Sequence, residues 1–145
     1  EQFYKNIAEI RKKCGDRAVL RAIHIFDENK RVLAQKSALK NGDFDKFFKL
    51  VNESGESSYN LLQNIYSTSK PTEQAIPLAL ALTKQFLGDR GACRIHGGGF
   101  AGTIQCYIPN EMFADYKRMI EAVFGSGSCV KLFVRAVGGY EIKGE

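Results

Sequence analysis

The stretch His96-Gly97-Gly98-Gly99-Phe100-Ala101-Gly102-Thr103 holds the residues of this chain whose types and spacing can do chemistry. Four of the six residues from 97 to 102 are glycine. A tight hairpin needs only one or two, to supply positive φ, and each glycine costs conformational entropy. Glycines in series serve where a backbone must come close to a ligand or another backbone, or aim several N–H groups at an anion. His96, at the mouth of the run, can be a structural histidine, a donor facing phosphate or a general base. The residues alone leave those three roles open.

Gly97, Gly99 and Gly102 satisfy G-x-G-x-x-G, the pattern of a dinucleotide-binding turn. Such a turn must open a helix, so that pyrophosphate meets the helix N-terminus. Here Thr103-Ile104-Gln105-Cys106-Tyr107-Ile108 alternates as a strand, which excludes that reading. A strand–glycine turn–strand layout also belongs to the phosphate loop of protein kinases. Those enzymes need a lysine on the following strand, an HRD loop and a DFG metal site, and the chain carries none of them.

Other candidates carry less. His24 falls in mid-helix and reads as packing or surface. The run Glu53-Ser54-Gly55-Glu56-Ser57-Ser58 offers hydroxyls and carboxylates but no base beside a nucleophile, so it reads as a polar loop. Cys14, Cys93, Cys106 and Cys129 include no CxxC pair, and neither histidine stands at metal-ligand spacing from a cysteine. No metal site and no disulfide framework is expected. A buried thiol in a strand then acts as a small hydrophobe, in keeping with a reducing cytoplasm.

The elements that must position the turn follow from periodicity. Gly15-Asp16 starts a long helix to about Leu39, with Val19, Ile23 and Phe26 at helical spacing and Asn41-Gly42 as its stop. Asp43 caps a second helix carrying Phe44, Phe47, Phe48 and Val51. Polar residues 52–58 end or kink it, residues 59–66 return to helix, and Ser67 to Pro71 form a loop. A third helix begins near Pro77 and ends at Gly88. Its Leu78, Leu80, Leu82 and Phe86 leave little polar face and predict cover on more than one side.

Strands are expected over Ala92–His96 and Thr103–Ile108. Asn110 caps a further helix that turns Phe113, Tyr116, Ile120 and Val123 inward and stops at Gly125. A last strand is expected over Cys129–Val137. The order predicts an α+β domain with helices on one face of a mostly antiparallel sheet.

The chain of 145 residues, 44% hydrophobic and 26% charged, is long and apolar enough to form one domain around a core. No apolar run approaches the roughly 18 residues of a membrane span. The net charge of +5 concentrates in residues 1–50, with twelve Lys/Arg against seven Asp/Glu. Those charges alternate in sign along helical stretches, as on a solvated face. No aromatic-rich strand of the RNA-binding type accompanies them, so no nucleic-acid partner is expected.

Against this background, Gly91-Ala92-Cys93-Arg94-Ile95-His96-Gly97-Gly98-Gly99-Phe100-Ala101-Gly102-Thr103 resembles the third motif of the GHMP group of sugar and metabolite kinases. The wider chain resembles the C-terminal half of the galactokinases within that group. Arg21-Ala22-Ile23-His24, Glu28-Asn29, Arg31-Val32, Ala38-Leu39, Gly42-Asp43, Phe47 to Leu50 and Glu53-Ser54 also fit. The resemblance covers about residues 16–137. Many galactokinases carry Thr in place of His96, Gly in place of Ala101 and His in place of Gly55, so the chain departs from the pattern at those points.

The resemblance implies a ferredoxin-like GHMP kinase C-terminal domain over residues 1–145, and a parent enzyme that phosphorylates the anomeric hydroxyl of galactose with ATP and Mg2+. It places the phosphate loop, of the form P-x-x-x-G-L-x-S-S-A, and the catalytic Asp/Arg pair in an N-terminal domain that this chain lacks, as its start without Met also leads one to expect. No catalytic residue is therefore expected here. His96, Gly97, Gly98, Gly99, Phe100, Ala101, Gly102 and Thr103 are expected to wall the substrate and phosphate site, and the chain alone to be inactive and to hold no ATP or Mg2+. The alternative is a non-catalytic ligand-binding or regulatory module of the same fold.

Overall fold

A computed structural model describes residues 2–100, 102–134 and 137–138. The chain divides into two compact units, residues 1–113 and 114–145.

The first unit begins with two short helices, α1 (Gln2–Lys5) and α2 (Ile7–Cys14), and the long α3 (Asp16–Lys40). Asp16 lies in the first turn of α3, where an acid is favoured by the helix dipole, and pairs with Arg11 of α2. The Asn41 N–H bonds back to the last carbonyls of α3, and Gly42 at φ +68° turns the chain. Asp43 then caps α4 (Phe44–Ser57), its carboxylate accepting from the Lys46 N–H at 3.1 Å. Phe47, Val51 and Ser54 form the buried stripe of α4 at i, i+4 and i+7. Phe44 is exposed.

The polar run 52–58, expected to end or kink the helix and read as a polar loop, forms no loop. It stays helical through Ser57 and passes into a π-helical turn, Ser58–Leu62. Residues 63–66 are then irregular rather than helical. The reason is burial: Ser54 and Ser58 are 0% and 1% exposed, and the Ser54 hydroxyl on the inner stripe pairs with Glu28 and Arg94. Helix α5 (Ala75–Leu87) stops at Gly88. It buries one face only, through Ile76, Ala79, Leu80, Thr83 and Leu87, while Leu78 is half exposed. A uniformly apolar helix shows no periodicity from which to read its inner stripe. Phe26 of α3 likewise misses the core, its ring meeting that of Phe3 at 5.1 Å.

Strands β1 (Ala92–Ile95) and β2 (Ile104–Tyr107) form an antiparallel hairpin with Ala92 opposite Tyr107, Cys93 opposite Cys106, Arg94 opposite Gln105 and Ile95 opposite Ile104. The fold is thus α+β. Helices reach both faces of this hairpin, not one as expected. Cys93 and Ile95 pack with Ile65, Ile76 and Leu80, while Ala92 packs with Ala38, Phe47 and Val51. Two strands are narrow enough for helices to wrap both sides. Tyr107 closes the second cluster against the rings of Phe47 and Phe48, at 5.3 and 5.9 Å.

A 3-10 turn, Asn110–Met112, leads into α6 (Phe113–Phe124). Asn110 is therefore the first residue of that turn instead of a cap on α6. In the second unit Tyr116 and Ile120 are buried, whereas Val123 is half exposed. Gly125 at φ +94° follows the helix. The strand expected over 129–137 is not formed at 129–134, where Val130, Leu132 and Val134 are all exposed. Their alternation is that of a strand, yet a strand exists only with a hydrogen-bonded neighbour. Arg135 and Ala136 lie outside the described residues. Among the described residues no helix is long and apolar enough to cross a membrane.

Candidate functional site

The glycine turn joins β1 to β2 and is built from left-handed residues: Gly97 at φ +61°, Gly99 at +77°, Phe100 at +59° and Gly102 at +82°. The His96 N–H donates to the Thr103 carbonyl at 3.1 Å and extends the hairpin by one pair. Ala101 lies outside the described residues. Glycine is required at two distinct kinds of position. Gly97 is open, with nothing near the place of a Cβ, so only its φ demands glycine. Gly99 is closed as well, because a Cβ there would stand 2.3 Å from the Asn64 carbonyl oxygen.

Asn64 holds the turn. Its side-chain amide donates to the Gly98 carbonyl at 3.1 Å, and its own carbonyl accepts from the Phe100 N–H at 3.0 Å. The side chain is 2% exposed, so both bonds are made away from water. Asn64 follows Gln63, itself left-handed at φ +55°, whose N–H returns to the Ser58 carbonyl and closes the π-helical turn. The turn thus rests on an irregular segment fixed by the end of α4. No sequence pattern marks Asn64, which is one polar residue between Gln63 and Ile65.

With those bonds made, the N–H groups of Gly97, Gly98 and Gly99 have no hydrogen-bond partner among the described residues. His96, Gly97, Gly98 and Phe100 are exposed. Two grooves run beside β1, one of about 400 Å³ lined by Gly55, Tyr59, Leu80, Ala81, Lys84 and Arg94 among others. Neither includes any of residues 96–103. The turn is an exposed rim at the end of the hairpin.

Under the turn, β1 is fixed by a polar cluster. Glu28 of α3 pairs with Arg31 and with Arg94 of β1, the latter at 3.2 Å, and accepts a hydrogen bond from the Ser54 hydroxyl. Ser54 in turn accepts from Arg94. Burial alone would push the Glu28 carboxyl up. The Ser54 hydroxyl, Arg31 and Arg94 outweigh it and hold the group below the usual carboxylate range. His24, one turn earlier on α3, is buried and meets the Ser57 hydroxyl at 2.9 Å. Burial pushes its imidazole down, so it is neutral near pH 7. Gly55 lets α4 sit on β1, since a Cβ there would meet the Arg94 Cβ at 3.0 Å. The Ser/Glu run is therefore neither a loop nor a catalytic cluster but the helix face that carries Arg94.

Asn52 completes the frame. Its side-chain oxygen accepts from the Cys93 N–H at 3.0 Å and its amide donates to the Gly91 carbonyl at 3.4 Å, so it pairs with the outer edge of β1. Among the described residues no group of three His, Cys, Asp or Glu side chains could hold a metal ion.

Comparison with known proteins decides the kinship. Over 120 residues the chain is 33% identical to a galactokinase of Glaesserella parasuis serovar 5, and 32% identical to galactokinases of Actinobacillus pleuropneumoniae and Haemophilus influenzae. The chain is related to the galactokinases. Each match takes in 83% of this chain but 29% of the relative, so the galactokinase-related region spans less than a third of the length of these curated relatives. No family model matches it, and no solved structure matches it.

Proposed function

We propose that this region is the C-terminal domain of a galactokinase of ferredoxin-like GHMP kinase fold, acting in the cytoplasm with a second domain that carries the phosphate loop. In that reading the parent enzyme transfers the γ-phosphate of ATP to the anomeric hydroxyl of galactose, and residues 96–103 form one wall of the active-site cleft. The observation that carries it is the rim itself: three consecutive glycine N–H groups without partners among the described residues, on a turn tied to Asn64 at Gly98 and Phe100. Backbone donors held in a tied turn suit an anion whose charge shifts during transfer, because they need little reorganisation when it does.

The residues of the turn suit part of the nucleotide. The glycine N–H groups can meet phosphate oxygens, and the open space at Gly97 and Gly98 admits them. In this reading Mg2+ is held by the nucleotide phosphates together with carboxylates of the other domain. The region alone then lacks the means to position ATP against a sugar and is inactive. His96 stands at the rim and is exposed.

The reading is tested in an enzyme in which this region is joined to the remainder of a galactokinase. Gly98→Val, which adds bulk where the rim is open, is expected to lower kcat by about 10- to 100-fold while the melting temperature shifts little. An unchanged kcat in a folded enzyme would remove the turn from the site. Binding of galactose or ATP without turnover by the joined enzyme would favour the regulatory module.

A further inference from the structure

Cys93 and Cys106 are direct partners in the β1–β2 register. The type of pair follows from the hydrogen bonds around it. His96 donates to Thr103 across the hairpin, so alternate pairs in this register are hydrogen-bonded and the Cys93–Cys106 pair between them is not. Cys93 confirms this, since its N–H points away from β2 and donates to Asn52. In a non-hydrogen-bonded pair the Cα atoms approach to about 4.5 Å and the side chains lie close together on one face. That separation falls within the roughly 4.4–6.8 Å window of disulfides. Both sulfurs sit on the hairpin face that packs with Ile65, Ile76 and Leu80. Cys93 is 1% exposed, whereas Cys106 is partly exposed.

We propose that Cys93 and Cys106 are a redox-active pair that forms a reversible cross-strand disulfide in the folded protein, with a low-molecular-weight disulfide such as oxidised glutathione as the oxidant. Cys106 reacts first, because it is the accessible member and burial pushes the Cys93 thiol up to about 12. The Cys106 thiolate attacks one sulfur of the oxidant, forming a mixed disulfide and releasing one glutathione thiolate. Cys93 then attacks the Cys106 sulfur, its proton leaving with the second glutathione thiolate. One oxidised glutathione becomes two reduced molecules, and two protein thiols become one disulfide. The bond ties together the two strands that carry residues 96–103, so oxidation acts on the hairpin that holds the glycine rim. A cross-strand tie in a twisted hairpin is strained, which makes it easily reduced again.

The test uses the whole chain, folded, with oxidised glutathione, followed by denaturation and thiol counting. Of the four cysteines, two thiols are expected to disappear and to return with a reductant. Cys93 and Cys106 fall in separate tryptic peptides, residues 91–94 and 95–117, because Arg90, Arg94 and Lys117 flank them. The linked pair is expected as one species, lighter than the two peptides by two hydrogens. The double variant Cys14→Ser/Cys129→Ser is expected to go from two thiols to none, and Cys106→Ser is expected to leave Cys93 unmodified. Retention of both thiols by the double variant, linkage through Cys14 or Cys129, or a glutathione adduct persisting on Cys106 beside a reduced Cys93 would each overturn the proposal.

Discussion

Asn64 and Gly99 meet backbone to backbone, so closely that a Cβ on Gly99 would stand 2.3 Å from the Asn64 carbonyl oxygen and 2.5 Å from its side-chain nitrogen. This contact fixes which glycine of the turn does what. Gly99 is where the turn is held, and Gly97 and Gly98 are where it is open. A mobile loop has no such division, and the division makes the glycines separable by mutation.

Gly99→Ala combines a left-handed backbone with a steric conflict and is expected to destabilise by about 2–5 kcal/mol. Gly97→Ala carries the backbone penalty alone, about 1–2 kcal/mol. Denaturant titration of the two variants orders them. Equal losses would mean that Asn64 does not hold the turn at Gly99.

Asn64→Ala removes the bond to the Gly98 carbonyl and is expected to lower stability by about 1–3 kcal/mol. Hydrogen exchange at the Phe100 amide is expected to speed up with it, because the Asn64 carbonyl that protects this amide loses its anchor. Unchanged exchange at Phe100 would place the anchor elsewhere.

Glu28→Gln leaves Arg31 and Arg94 without their carboxylate. The three side chains are 13–22% exposed, so the loss is expected near the lower part of the range for buried pairs, about 2–4 kcal/mol. It should change little with added salt, unlike the loss of the exposed Arg11–Asp16 pair. The Glu28 group lies below its ordinary value of 4.5 when folded. Its contribution is therefore complete above that value and is lost as pH falls through and below it. In acid titrations Glu28→Gln should flatten this part of the stability curve.

His24 acts at higher pH with the same sign. Its folded-state value lies below the ordinary 6.5 because burial outweighs the attraction of Glu28. Folding therefore favours the neutral ring, and stability falls as pH drops below 6.5. His24→Gln, which can still meet the Ser57 hydroxyl, is expected to remove that slope below pH 6.5. A slope that survives in the variant would assign it to another group.

The beginnings and ends of the elements were legible in the sequence because they are set by local chemistry. Asp43 caps α4, Gly42 and Gly88 stop α3 and α5, and the alternation at Ile104 and Cys106 marks β2. The glycine run was legible as a turn for the same reason, since left-handed backbone favours glycine. Long-range partners were not legible. Asn64, Asn52 and Ser54 act through residues 34, 41 and 40 positions away, and a polar residue does not reveal whether it faces water or a buried partner. The inner stripe of α5 was hidden by its uniform apolarity. The alternation at 130–134 predicts a strand only when a neighbour is present to pair with it.

The central claim, that this region supplies one wall of a galactokinase site and not the whole of it, is tested most directly by measuring galactose 1-phosphate formed from ATP and galactose. The assay compares the chain alone with the chain joined to the remaining part of a related galactokinase. The account predicts no product from the folded chain alone and turnover by the joined enzyme. Turnover by the chain alone, or none from a joined enzyme that folds cooperatively and binds both substrates, would contradict it.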